Sequence, residues 1–425
     1  MNLRRFFAPA KGVGAGAAMR FILIPSLPVG AFRFMRGALR VVLIRHSARI
    51  GVESMRKFLF TLHLWSGLIL GLPLLLIGVT GTVLLLEPEI RGLTGPAASA
   101  GDPRPAGEIL AAAKAVAPEG ATPAIYMHPA HPGEAATVRF ARQGGGFWSV
   151  RLDPVTLAVM EDPAGPFLLT MHRLHGNLLV QGREGRQLVG WLGVVMLVLG
   201  VTGLVLWWPR PGQWKAALSV KWRAKGIRFH RDLHGAFGFW GLAVFMVVSF
   251  SGVYLAFPQT IGDGVGTVLP LGDVKLGGPG VKAGPADGRT PLPVDEAVRI
   301  GLEAAGGGHL RSLGLPRKPD DPLRVGVVHD RGNPGAPAMT ITLDPYTGGV
   351  LERRDPAAYP SGAKLLAWMR PLHEGEGLGL VWRVLVGLSG LLPVLFAITG
   401  TSLWWMKRRN RRAAEAKRGA ALAAE

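Results

Sequence analysis

The chain has 425 residues, 48% of them hydrophobic, with a formal net charge of +20 and no cysteine. That apolarity is ordinary for a protein with several membrane spans and unusual for a soluble one. The lack of cysteine excludes disulfides, cysteine-ligated iron–sulfur clusters, covalently attached c-type haem and thiol nucleophiles.

In chain order, residues 1–54 read as an N-terminal extension, rich in Arg, Gly and Ala with broken apolar runs. It is expected to be disordered, or to lie upstream of a natural start at "MRKFLFTLHLW", which begins at Met55. A first span covers 55–86, an outer α+β module 87–186, a second span 187–208 and a basic loop 209–232. A third span covers 233–257, a second outer module 258–377, a fourth span 378–406 and a basic tail 407–425. Segments 1–57, 210–232 and 407–425 hold 25 basic residues against four acidic ones, so the excess charge flanks the spans on one side. By the positive-inside rule both termini and the 209–232 loop are cytoplasmic. The long loops then face the periplasm of a bacterial inner membrane. Charge placed this way meets lipid headgroups and gives no reason to expect nucleic acid as a partner. No Gly-rich phosphate loop sits between a strand and a helix, so no nucleotide site is expected.

The spans repeat. "LHLWSGLILGLPLLLIGVTG" (62–81) aligns with "LHGAFGFWGLAVFMVVSFSG" (233–252), and the segment from Leu174 to Trp208 aligns with that from Leu372 to Trp405 with one residue of slippage. In the outer modules a helical pattern precedes strand-like alternation that ends in "LDPVT" or "LDPYT". The expected fold is a membrane α-helical four-span bundle of two parallel repeats, since two spans per half keep both halves in the same orientation.

Four of the eleven histidines fall at repeat-equivalent Leu-His positions. His63 and His234 lie at the cytoplasmic ends of spans one and three; His175 and His373 lie on the outer approaches to spans two and four. Paired neutral imidazoles in a helical bundle are how b-type haem is held without covalent attachment. Two haems b are therefore expected, roughly 20 to 30 Å apart along the membrane normal. His172 and His230 are weaker ligand candidates. Arg173, Arg370 and Arg383 lie near the outer pair and are candidates to meet haem propionates by charge-assisted hydrogen bonds. Glycines at 67, 71, 78 and 81 and at 190, 193, 200 and 203 suit close helix contact or a flat macrocycle. Trp207, Trp208, Trp404 and Trp405 are expected as interfacial anchors.

The repeated Leu-His to Thr/Ser-Gly spans, the "LWW" followed by Pro-Arg or Met-Lys-Arg, and the "LDPxT" turns resemble the PepSY-associated transmembrane helix proteins, often described as iron-regulated membrane proteins. The resemblance runs from about Met55 to Arg409. It implies four spans with two PepSY-like periplasmic modules. In the ferric-siderophore reductases of that group it further implies two haems b passing electrons outward to release siderophore-bound iron as Fe(II). His63, His234, His175 and His373 match the family's Leu-His positions. The implied partners are a ferric siderophore or Fe(III), membrane lipid, and a quinol or protein electron donor. A non-catalytic PepSY scaffold, or an accessory subunit of a siderophore or metal transporter, is the alternative.

Overall fold

The computed structural model describes residues 29–273, 281–330, 333 and 335–424, with side chains from residue 53 onward. Helix α1 (Val29–Leu85) contains the first span with Pro73 inside it. Helix α1 begins within the N-terminal extension, at Val29, and residues 1–28 lie outside the described residues. Helix α2 (Glu87–Thr94) follows, with Pro in its first turn and Glu87 and Glu89 at its positive end, a favourable placement for both residue types. Next come α3 (Ala106–Ala115), strands β1 (Thr122–Met127), β2 (Ala136–Ala141) and β3 (Phe147–Leu152), then α4 (Gly165–Asn177) and α5 (Gly182–Trp207). After α6 (Trp214–Ala217), α7 (Ile227–Trp240), α8 (Leu242–Ala256) and α9 (Pro258–Gly266), the chain forms α10 (Val294–Ala305) and strands β4 (His309–Gly314), β5 (Leu323–Val328), β6 (Met339–Leu343) and β7 (Val350–Arg354). It closes with α11 (Ser361–Glu374) and α12 (Gly379–Leu422).

Among the described residues, three stretches are long and apolar enough to cross a membrane: Glu53–Leu85, α5 and α12. Helices α7 and α8 make a fourth if they are one broken span, bent by 65°. Outward-facing Ile69 and Leu72 are each 68% exposed, which suits lipid and not water. The bend falls inside the third span expected at 233–257. It falls at Gly241, where an added Cβ would sit 2.4 Å from Leu392 Cδ1 of α12, so the chain turns where two helices touch. Helix α12 continues from the fourth span through the basic tail, whose Ala, Arg, Lys and Glu are strong helix formers.

Glycines bring the helices together. An added Cβ at Gly78 would meet the Gly390 carbonyl at 2.4 Å, and one at Gly190 would meet Phe257 at 2.4 Å. Thr82 Oγ1 donates across the same α1–α12 contact to the Gly387 carbonyl at 3.2 Å. Gly67 and Gly71 have open space beside them, so the small-residue pattern marks helix contacts only in the second half of the first span.

The two outer loops were expected to form separate α+β modules. Their strands instead join in one seven-stranded antiparallel sheet, ordered β3-β2-β1-β4-β5-β6-β7. The seam is β1 against β4, with Tyr126 opposite Leu313. Joining removes two open edges, each an exposed row of unpaired backbone groups. Helices α3 and α10 pack on one face, burying Ile109, Tyr126, Phe140, Leu313, Val325 and Ile341 almost completely. The same turn follows β3 in the first loop and links β6 to β7 in the second. Asp153 accepts hydrogen bonds from the backbone N–H of Ser99, Val155 and Thr156, and Asp344 accepts from Gly284, Tyr346 and Thr347. Burial alone would raise both carboxyls, but these donors outweigh it and hold both below the ordinary carboxylate range.

Candidate functional site

The Leu-His histidines meet in two pairs. The rings of His63 on α1 and His234 on α7 stand 6.2 Å apart between centroids at 72°; those of His175 on α4 and His373 on α11 stand 5.9 Å apart at 43°. All four are part-buried.

Each ring lies beside a Thr-Gly or Ser-Gly step on a neighbouring helix. His63 Nδ1 lies 2.9 Å from Thr202 Oγ1, and His234 Nδ1 lies 2.8 Å from Thr399 Oγ1. His175 Nδ1 donates to the Ile77 carbonyl at 3.0 Å with Thr80 Oγ1 at 3.3 Å. His373 Nδ1 donates to the Val248 carbonyl at 3.0 Å with Ser251 Oγ at 3.2 Å. The glycine after each hydroxyl admits the imidazole edge. An added Cβ at Gly81 or Gly252 would fall 2.9 Å from the Cε1 of His175 or His373; at Gly203 the distance to His63 is 3.2 Å, and at Gly400 that to His234 is 3.7 Å. Sequence reasoning used these steps to align the repeats but did not single out Thr80, Thr202, Ser251 and Thr399. The signal was present, a hydroxyl before glycine at the matching place in each span.

The hydroxyl and carbonyl contacts join helices of one sequence half, whereas both ring pairs join the two halves. Nδ1 is engaged in all four rings, and among the described residues no hydrogen bond to any of the four Nε2 atoms is found. His63 and Thr80 are 17 residues apart on α1, about 25 Å of helix rise, and His234 and Ser251 are also 17 apart, across the bend between α7 and α8.

The weaker candidates stand elsewhere. His172 is exposed and its Nε2 lies 2.8 Å from Glu87 Oε2; His230 Nδ1 donates to the Gly226 carbonyl one turn back. Arg383 is held by Glu89 and the Leu85 carbonyl, each at 2.7 Å. Arg173 lines a cavity of about 270 Å³ with His172 and Arg186. Arg370, paired with Glu374 at 2.7 Å, lines one of about 450 Å³ with Tyr254, Arg311, Arg354 and Tyr359. This larger cavity lies between the sheet, α8 and α11, with Arg370 one turn before His373 and Tyr254 one turn beyond Ser251. Among the described residues no group of three or more His, Asp or Glu converges as a metal site.

Residues 60–407 match the profile of the PepSY-associated TM region. The chain belongs to this family. None of the curated proteins matches it. In this PepSY-associated chain the matched region begins three residues before His63 and takes in both histidine pairs, their hydroxyl partners and the whole sheet; the N-terminal extension lies outside it.

Proposed function

We propose that the protein is a multi-pass bacterial inner-membrane protein, its termini cytoplasmic and its sheet periplasmic, that holds two haems b and moves electrons outward to ferric iron. The observation that carries this is the spacing of the histidine pairs. Two nitrogens each about 2 Å from one metal, with ring centroids about 1.1 Å further out, put the centroids about 6 Å apart, the separation found in both pairs. The donor set agrees. Two imidazoles with no third His, Asp or Glu converging on them among the described residues make a poor site for a bare cation, but they complete a metal whose other four ligands come with its macrocycle. Engaged Nδ1 atoms favour the tautomer with a bare Nε2, the form an iron ligand needs.

His63 and His234 would hold the cytoplasmic haem, and His175 and His373 the periplasmic one. Bound haem supplies a one-electron Fe(III)/Fe(II) couple. The chain orients the four imidazoles, separates the sites by about one membrane thickness and excludes water with apolar helices. Arg173, Arg370 and Arg383 are the propionate partners; Arg370 and Arg383 are each paired with a glutamate, Glu374 and Glu89, that a propionate would displace. The cavity of about 450 Å³ is the docking place for a ferric siderophore or other Fe(III) chelate. The net reaction passes electrons singly to chelated Fe(III), giving weakly held Fe(II): one per turnover of a one-electron protein donor, or two Fe(III) reduced per quinol oxidised to quinone with release of two protons.

Full-length protein purified from haem-replete cells should show a b-type reduced-minus-oxidised spectrum that decays when a ferric chelate is added. His63→Ala and His373→Ala should each remove about half of the haem. A colourless preparation would overturn the proposal and leave the non-catalytic scaffold reading.

A further inference from the structure

The two pairs are supported differently at Nδ1. At His175 and His373 the acceptor at 3.0 Å is a backbone carbonyl, Ile77 or Val248, with the hydroxyls of Thr80 and Ser251 farther away at 3.3 and 3.2 Å. A carbonyl has no proton, so it admits only an imidazole protonated at Nδ1, whatever the hydroxyl does. At His63 and His234 the near partners are the hydroxyls of Thr202 and Thr399, at 2.9 and 2.8 Å. Each donates its own proton to a carbonyl four residues back, Val198 or Leu395, at 2.7 Å. Its oxygen is thereby left facing the ring as an acceptor. The Leu199 carbonyl stands near His63 as a backbone partner, whereas Thr399 is the sole hydrogen-bond partner of His234 among the described residues.

From this we infer that Thr399, and to a lesser degree Thr202, are positioning residues that fix the tautomer and ring orientation of the His63/His234 pair, while main-chain carbonyls do this work at His175/His373. Removing the Thr399 hydroxyl leaves the His234 Nδ1–H without an acceptor. The proton is then free to sit on Nε2, the nitrogen that faces the ligand position. Removing the Thr80 or Ser251 hydroxyl leaves the carbonyl in place and the tautomer unchanged. Which ring nitrogen carries the proton is set by the bond the other makes, and losing such a partner typically costs about 10- to 100-fold in metal affinity.

The consequence for haem rests on the proposed function, so the test has two arms. In the first, the full-length chain in detergent without haem is studied by histidine-selective ¹⁵N NMR. All four paired rings should be protonated at Nδ1. Thr399→Val should remove this state at His234, Thr399→Ser should restore it, and Thr80→Val and Ser251→Ala should leave His175 and His373 as they were. In the second arm, haem content and midpoint potentials are measured on the haem-loaded protein. Thr399→Val should weaken haem binding at one site by about 10- to 100-fold and shift the potential of any haem retained there, Thr202→Val should do so less, and Thr80→Val and Ser251→Ala should do neither. Equal responses at the two pairs, or an unmoved His234 in Thr399→Val, would overturn the inference. Failure of wild-type protein to take up haem would instead overturn the proposed function and leave the NMR arm to decide the inference.

Discussion

His175 and Gly81 are fitted to each other: a Cβ built on Gly81 falls 2.9 Å from the imidazole Cε1, and Gly252 stands to His373 in the same way. The ring, not the backbone, gives way when such a Cβ is added, because it is the nearest atom group and rotates about two bonds. Gly81→Ala and Gly252→Ala should therefore fold, yet tilt one imidazole away from the Ile77 or Val248 carbonyl and lower haem bound at that pair. Gly400→Ala, where the nearest His234 atom is 3.7 Å away, should keep it, as should Gly67→Ala in open space. Haem per protein by pyridine haemochrome is the measurement, and equal loss in all four variants would contradict the fit.

His172 is set apart from the paired histidines by partner and by exposure, and His230 by partner. His172 stands beside Glu87 on an exposed surface, and His230 bonds within its own helical turn. Replacing either by Ala should leave the absorption spectrum and haem content unchanged, while His234→Ala and His175→Ala should each remove about half. Loss of haem in His172→Ala would reassign the ligands.

The histidine pairs were legible because the repeat displays them twice, and two equivalents of a rare polar residue in apolar spans have few other uses. The helix contacts were half legible. Gly78 and Gly190 meet neighbours, but Gly67 and Gly71, in the same spacing, do not, because composition gives no sign of where a neighbouring helix lies. The single sheet was not legible at all. Tyr126 and Leu313 pair across 187 residues of chain, and an edge strand looks alike in sequence whether it faces solvent or a second edge. The bend at Gly241 was hidden for a related reason, since it depends on Leu392 from a distant helix.

The paired aspartates predict acid sensitivity of the sheet. Asp153 and Asp344 each accept three backbone N–H bonds, which hold their folded-state pKa below the unfolded value of about 3.9. For such a depressed group the stabilisation is fully present above the unfolded pKa and is lost as pH falls through it toward the folded pKa. The sheet should therefore keep its stability from neutral pH to about pH 5 and lose it progressively below about pH 4. Asp153→Asn and Asp344→Asn should each lower stability at neutral pH and flatten that acid limb. Thermal melts followed by circular dichroism from pH 3 to 7 would show this, and an unchanged acid limb in both variants would refute it.

The residue that follows each "LDPxT" turn gives the last prediction. Leu157 in the first copy and Gly348 in the second occupy equivalent positions, and both adopt left-handed backbone, with φ of 63° and 72°. A side chain in that region costs about 1–2 kcal/mol, and at Gly348 a Cβ would also press on Ile300 Cδ1 at 2.8 Å. Gly348→Ala should therefore destabilise the sheet, and a loss of 1 kcal/mol in a unit of this size lowers the melting temperature by about 2–4 °C. The reverse change is not its mirror image. Leu157 packs its side chain against the sheet's core, so Leu157→Gly relieves backbone strain while giving up apolar contact. The two terms are of similar size and opposite sign, and the melting temperature should move by less than in Gly348→Ala. A larger loss in Leu157→Gly would mean that packing, not backbone conformation, governs this turn.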